Sequence, residues 1–352
     1  MSLPAHFRPE LLLGNSTDPV YGAEARELIR GKIVMVTGAG GSIGSELVLQ
    51  AKALGAARVC NVDTDEFALY SLQLGMEGRA LLDDDDYILA DIRDESLMDR
   101  VVRANAPDVI FHAAAHKHLP LLERFPDAAA KTNVFGTESV VRAAVTNGVS
   151  RVVNISTDKA ASPTSALGWS KKLAEQVAAS YSTDATVISS VRFGNVLGSR
   201  GSFLPTLMWQ ISQGIPIQIT HKDVSRFFMT IPEAAGLVIE SSRLAEGGDV
   251  FVLDMGTSIR IVDLVKEYVR ISGSADPHIV YTGLRDGEKM QETCFESEED
   301  QSPTAHPRIL SANIESVDTT RVVAELRELV AEGAPAAIIR EALEFSKAVA
   351  IA

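Results

Sequence analysis

The chain has 352 residues, 46% hydrophobic and 23% charged, a globular mixture long enough for one large two-lobed domain or two joined ones. Its formal charge of −14 argues against a broad nucleic-acid-binding face, which would repel a polyanion, yet leaves room for a local basic pocket around a diphosphate. Two cysteines, Cys60 and Cys294, supply neither a disulfide framework nor a zinc site; with no membrane-length apolar run and no secretory leader, a cytoplasmic protein is expected.

Residues 1–30 read as a leader with a short helix over 24–30, closed by Gly31. Then β-branched runs alternate with amphipathic stretches. Strands are expected at 33–37, 57–63, 87–91, 109–114, 152–157 and 187–193, with helices over 45–54, 66–76, 96–104, 128–147 and 165–180. Apolar strands spaced by helices mean a parallel sheet covered on both faces. After Leu197 the regularity breaks, and Gly, Pro and aromatic residues become frequent. A strand at 250–255 and helices over 262–271, 317–331 and 336–349 still read as scaffold, and the acidic stretch 296–302 reads as a solvated loop. The fold class is therefore α/β, a Rossmann-type doubly wound parallel sheet over 31–197 with a smaller C-terminal substrate-binding lobe over 198–352, the two sharing sheet strands.

The run Gly38-Ala39-Gly40-Gly41-Ser42-Ile43-Gly44 stands between the first strand and a helix, the context a dinucleotide-binding loop requires. Gly38 permits the tight turn, Gly41 lets the backbone approach a pyrophosphate, and Gly44 lets helix and strand pack closely. The diphosphate then meets the free amides and positive dipole of the helix start at Ser42 and Ile43. Asp63, closing the second strand, stands where an acid reaches the adenosine ribose hydroxyls, and its charge favours NAD over NADP. The competing reading is a helix N-cap at Asp63 or Asp65. Asp91 and Ile92 close the third strand, near an adenine edge. Ala113, Ala114 and Ala115 offer small side chains where a cofactor must pass close to backbone.

Five further segments carry a resemblance. They are 112–123 (HAAAHKHLPLLE), 155–160 (ISTDKA), 191–199 (VRFGNVLGS), 225–234 (SRFFMTIPEA) and 281–289 (YTGLRDGEK). In this order, from about Gly31 to Ala312, the chain resembles the nucleotide-sugar 4,6-dehydratases of bacterial polysaccharide biosynthesis, the CapD-like branch of the extended short-chain dehydrogenases. The resemblance implies an NAD(P)-dependent lyase acting on UDP-N-acetylglucosamine or a related UDP-sugar, and a homo-oligomer. In the resembling enzymes hydride leaves C4 of the sugar, a base takes the C5 proton, an acid protonates the departing C6 hydroxyl, and the hydride returns to C6. It implies Lys159 as the C5 base, Asp158 as the acid at C6, Thr157 as a hydrogen-bond partner of the C4 oxygen and Lys171 as holder of the nicotinamide ribose. For this, Lys159 is expected to be partly neutral, shifted by burial near Lys171, and Asp158 to hold a proton. Lys171 fits the lysine of the Tyr-x-x-x-Lys pattern, but the tyrosine position is Leu167, so another proton acceptor is needed, Asp158 or a bound water. Arg226 and Arg285 are the candidates for the diphosphate, with Asn195, Glu288, Lys117 and His118 as further substrate contacts. Asp286 stands where the family often has proline. His116 and His118 lack a third ligand, so no metal is expected. Two other readings stay open: a nucleotide-sugar epimerase or oxidoreductase, which the missing tyrosine disfavours, and a non-catalytic cofactor-binding protein, against which the Asp158-Lys159-Lys171 set counts.

Overall fold

The computed structural model describes residues 9–13, 20–295, 299, 301–314 and 317–345. Six parallel strands stand where the alternating apolar runs place them: β1 Ile33–Thr37, β2 Arg58–Asp63, β3 Tyr87–Leu89, β4 Val109–His112, β5 Arg151–Ile155 and β6 Val187–Arg192. Later come β7 Val250–Leu253, β8 Gln301–Pro303 and β9 Ile309–Ala312. They form one sheet of order β8-β9-β7-β6-β5-β4-β1-β2-β3, in which β1 to β7 are parallel and β8 and β9 antiparallel. The order reverses between β1 and β4, the switch point at which open α/β sheets leave a crevice for a ligand.

Strands β3 to β6 stop one or two residues short of the predicted carboxyl ends. The trimmed residues leave the sheet to build the site: Ala113 N–H still donates to Thr37 (3.0 Å), Ser156 N–H to Val191 (2.7 Å) and Asp158 N–H to Phe193 (3.1 Å).

Helices α1 Ala23–Ile29, α2 Ser42–Ala53, α3 Glu66–Glu77, α4 Glu95–Asn105, α5 Gly136–Thr146 and α6 Ala166–Ser180 flank the sheet. Short polar residues start several of them, as their ability to bond free amides dictates: Asp65 accepts from Ala68 N–H, Asp94 from Leu97 N–H and Ser165 from Gly168 N–H. Two apolar layers enclose the sheet. One joins Val34, Val36 and Phe111 to Leu47 and Val48 of α2; the other joins Met35 and Ile110 to Met98 of α4 and Val140 of α5. Helix α1 packs on the body of the sheet: Ala25 and Ile29 are buried in the first layer, and Gly22 N–H donates to Glu240.

The single helix expected over 128–147 is broken. Pro126–Ala129 is α-helical, Ala130–Phe135 is a π-helical turn, and α5 starts only at Gly136. The wider turn turns Asn133 inward, where its side chain bonds the His116 backbone and Ser170.

The smaller lobe holds α7 Phe203–Ser212, α8 Ile231–Leu244, α9 Ile261–Ser272 and three two-stranded ladders. Leu204, Leu207, Ile217, Phe228, Leu264 and Val265 form its own core. Helix α8 begins at a Thr230–Glu233 capping box and packs on α2, so the first apolar layer runs on past residue 197 through Met229 and Leu237. Helices α10 Thr319–Ala331 and α11 Ala336–Phe345 close over α6, where Val322, Leu326, Ile339 and Leu343 meet Leu167, Leu173 and Val177; the predicted continuation to 349 lies outside the described residues.

The acidic stretch 296–302 is not wholly a solvated loop. Residues 301–302 belong to edge strand β8, and Glu299 is buried against Arg192 with 5% of its side chain exposed. Residues 296–298 and 300 lie outside the described residues. No helix among those described is long and apolar enough to cross a membrane.

Candidate active site

The glycine loop is built as its spacing predicts. Gly38 has φ +69°, and a Cβ there would lie 2.7 Å from the Ala114 amide nitrogen. A Cβ on Gly44 would lie 2.0 Å from the Gly38 carbonyl oxygen, so α2 can start against the loop only with glycine there. Gly40, to which no role was assigned, is equally constrained: its Cβ would meet that of Ala68 on α3 at 2.4 Å. Asp63 braces this loop, its Oδ2 accepting from Gly40 N–H (2.9 Å) and its Oδ1 from Asp65 N–H (3.0 Å). The N-cap of α3 is Asp65, whose side chain accepts from Ala68 N–H, so the capping role falls to Asp65 and not to Asp63.

A cavity of about 280 Å³ opens beside the loop, lined by Gly38, Gly41, Asp63, Asp91, Ile92, Ala113, Ala114 and Ala115 as expected, and also by Arg93, His116, Thr132 and Arg200. Ser42, Ile43, Gly44 and Lys171 lie outside that lining. Asp91 is held by Arg93 through paired bonds of 2.9 and 2.6 Å, and the Arg93 guanidinium keeps its carboxyl below the usual range. Arg200 comes from the turn before α7, where its N–H donates to Ser42 Oγ (2.9 Å), so the smaller lobe touches the start of α2. A glycine cradle that any Cβ would fill, an acid at the end of β2 and small side chains at the end of β4 fit a dinucleotide.

Beneath the cavity His112 ends β4, 1% exposed. Thr137 Oγ1 donates to Asn133 O (2.7 Å), so it accepts from His112 Nε2–H (3.0 Å), and Nδ1 accepts from the Thr37 hydroxyl (2.7 Å). Burial, with Lys171 nearby, pushes the imidazole down to about 3, so it is neutral and its tautomer is set. Lys171 itself is 4% exposed and is pushed down to about 8 by burial, against the pull of Glu175 one turn along α6. Leu167, at the position of the missing tyrosine, packs into the apolar cluster under α10 and α11.

Thr157, Asp158 and Lys159 form the turn after β5. Asp158 is fully buried; its Oδ1 accepts from Thr157 Oγ1 (2.9 Å) and from Lys159 Nζ (2.9 Å), while its buried Oδ2 makes no hydrogen bond among the described residues. The expected downward shift of Lys159 is not found. Burial does lower it, but Asp158 and Glu292, 3.7 Å from Nζ, outweigh that and hold the amine above its usual value; the neighbouring cation is Arg226 rather than Lys171. Sequence reasoning missed Glu292, which follows the 281–289 segment by three residues.

The predicted substrate residues separate into two groups. Lys117 and His118 are exposed on the segment after β4, with His118 against Gly201, whose Cβ would lie 2.8 Å from its Cε1. Arg285 is exposed, and Asn195 opens a two-residue strand paired with Phe228–Met229. Arg226, expected at the diphosphate, and Glu288, expected as a further substrate contact, instead pair with each other at 2.9 Å. Arg226 also donates to the Ser225 and Met290 carbonyls, and Glu288 accepts from Thr220, so each is satisfied within the protein. The loop that carries Glu288 sits on the start of α6, where Thr164 Oγ1 donates to Gly287 O (3.1 Å).

Behind this site Glu175 accepts from Ser156 Oγ and from Arg192, and the fully buried guanidinium of Arg192 bridges Glu175 (2.7 Å) to Glu299 (2.7 Å). The network ties β5, α6, β6 and the C-terminal segment together.

Comparison with known proteins agrees with this architecture. The family model described as "Polysaccharide biosynthesis protein" matches residues 34–314. The probable polysaccharide biosynthesis protein EpsC of Bacillus subtilis is 40% identical over 310 residues, 86% of this chain and 51% of that protein. The capsular polysaccharide biosynthesis protein CapD of Staphylococcus aureus is 38% identical over 331 residues, 91% and 54% respectively. The chain thus spans about half the length of these relatives. A UDP-glucose 4-epimerase of Rickettsia akari is 34% identical over 276 residues, 76% of this chain and 79% of that one. Among solved structures, Pen from Bacillus thuringiensis superposes with a TM-score of 0.73 at 28% identity, covering 85% of this chain and 98% of that one. With a family model over most of its length, these relatives and a doubly wound sheet in common, the chain belongs to the polysaccharide biosynthesis protein family, within the extended short-chain dehydrogenases related to nucleotide-sugar dehydratases and epimerases.

Proposed function

We propose that this chain is an NAD-dependent nucleotide-sugar 4,6-dehydratase, acting on UDP-N-acetylglucosamine or a related UDP-sugar to give the 4-keto-6-deoxy product, with or without inversion at C5. One observation carries the reading: Thr157, Asp158 and Lys159 share a single carboxylate oxygen at the carboxyl edge of β5, which joins a hydroxyl, an acid and an amine in one short path. NAD, when bound, takes the C4 hydride and returns it to C6; a DesIV structure that superposes on this chain with a TM-score of 0.66 is described with NAD bound. Asp63, bonded to the glycine loop, supports NAD over NADP, because a 2′-phosphate beside that carboxylate would be repelled.

The side chains share the proton work. Thr157 donates to Asp158, so its oxygen is left to accept the C4 hydroxyl proton while its own passes to Asp158. This route does the work of the tyrosine that Leu167 replaces. Asp158, now protonated, gives that proton to the departing C6 hydroxyl. Loss of the negative charge on Asp158 also weakens its hold on the Lys159 ammonium, whose proton passes to solvent, and the neutral amine then takes the C5 proton and later returns it to C5. Arg285 and Lys117, both exposed, receive the diphosphate, and the Arg226–Glu288 pair stiffens the loop that presents Arg285.

A second reading, epimerase, rests on the Rickettsia relative named as one. Mass spectrometry separates them. With UDP-N-acetylglucosamine and NAD the expected product has lost one water, whereas an epimerase leaves the mass unchanged. Lys159→Ala is expected to abolish product while NAD stays bound; retained turnover would remove Lys159 from the C5 step.

A further inference from the structure

One buried carboxylate takes no part in the proton route above. Glu292 is 3% exposed; its Oε1 lies 3.7 Å from Lys159 Nζ and its Oε2 3.7 Å from Lys289 Nζ. Neither Glu292 Oε2 nor Lys289 Nζ makes a hydrogen bond among the described residues, although both are buried atoms. A carboxylate is kept out of water without hydrogen bonds only where cations compensate it. The backbone around it is pinned, since Ser225 N–H donates to Met290 O (3.0 Å) and Gln291 bridges to Ser225.

The groups facing Lys159 come from three elements. Asp158 lies on its own turn, Glu292 on the loop after the 281–289 segment, and Arg226 on the two-residue strand Ser225–Arg226. Cys294, beyond Glu292, is a thiol pushed up to about 12 by burial and by Asp158, and so carries no charge to this cluster. Asp158 hydrogen-bonds the amine at 2.9 Å, whereas Glu292 stands farther off and acts on it as a charge alone. Such a contact holds the ammonium in place without occupying an N–H or lone pair that the reaction needs.

We propose that Glu292 is a positioning residue for Lys159: with Asp158 it grips the amine from two elements, and Lys289 on its far oxygen limits how strongly Lys159 feels it. Once Asp158 is protonated, Glu292 is the carboxylate left facing Lys159, and it stabilises the ammonium formed when the C5 proton arrives. That last step rests on the dehydratase reading, but the electrostatic coupling does not.

The test is competitive acylation of the whole chain with acetic anhydride across a pH series, reading the peptide that carries Lys159 by mass spectrometry. Glu292→Gln removes the anion, so the midpoint at which Lys159 becomes reactive is expected to fall by roughly one pH unit or more. Lys289→Met leaves Glu292 to Lys159 alone, so the midpoint is expected to rise. A merely structural disturbance has no reason to give opposite signs. Midpoints that stay put, or that move the same way in both variants, overturn the proposal. The dehydration assay is run beside it: the ascending limb of kcat against pH is expected to move down in Glu292→Gln with the acylation midpoint, and an ascending limb that stays put while the midpoint falls overturns the catalytic part. If the unaltered chain releases no water from UDP-N-acetylglucosamine, the proposed function fails, while acylation still decides the role of Glu292.

Discussion

At the scale of single residues, burial is the largest single influence on the amines of this site. Lys171 is the clearest case, and its sign can be worked through. In the folded chain its amine releases its proton at about 8, against 10.5 when unperturbed. Below both values folding bears the whole cost of burying the charge. Between them the unfolded chain binds the proton and the folded one does not, so stability from this group rises with pH across that window. At about 1.4 kcal/mol for each pH unit the gain is roughly 3 kcal/mol. Urea unfolding of the unaltered chain and of Lys171→Met is expected to show their difference in stability moving by that order in favour of lysine as pH rises. A difference that stays flat would place the amine in a solvated setting. His112, neutral in this range, adds nothing to that slope.

At the scale of elements, buried ion pairs do what hydrophobic contacts cannot do at the carboxyl edge of the sheet. Arg192, with two carboxylates on one guanidinium, connects β6 to α6 and to Glu299 at the approach to β8, 107 residues away in sequence. Removing it takes the guanidinium from Glu175 in the interior and leaves Glu299 to Lys172, 4.0 Å away, and uncompensated buried charges of this kind cost about 3–5 kcal/mol. Arg192→Met is therefore expected to lower the thermal midpoint sharply, while Arg270→Ala, at an exposed pair with Glu267, leaves it in place. Equal effects in a melting experiment would mean that the network is solvated. The π-helical turn at Ala130–Phe135 belongs to this scale too. It spoils the regular helix that the apolar pattern over 128–147 predicts, and in exchange Asn133 ties the cavity segment at His116 to Ser170 on α6.

At the scale of the whole molecule, the C-terminal helices act as a cover. Without α10 and α11, the apolar face of α6 that carries Trp169, Leu173 and Val177 would face water, a contiguous patch of the kind that drives association. A chain ending before residue 319 is expected to form larger assemblies in light scattering than the longer chain does, and Leu326→Ala alone is expected to cost about 2–5 kcal/mol, as burial of a leucine requires. A truncated chain that behaves like the longer one would show that this face needs no cover.

The local part of this protein was legible in its residues. Each strand–loop–helix unit announces itself within about a dozen positions, so β1 to β6, the glycine loop and Asp63 beside it could be read from period and spacing, while the Asp158-Lys159 turn was marked by the family resemblance. The acidic stretch misled, because charge alone reads as solvated and nothing nearby shows that Arg192 awaits Glu299. Arg226 and Glu288 read as separate ligands for the same reason: a pairing across 62 residues leaves no local trace. Tertiary structure alone decided which charges meet, since the energy of a buried ion depends on distances of a few ångströms that only the packed chain defines. That is why Lys159 is held above its usual value between Asp158 and Glu292, although the role the resemblance implies called for a partly neutral amine.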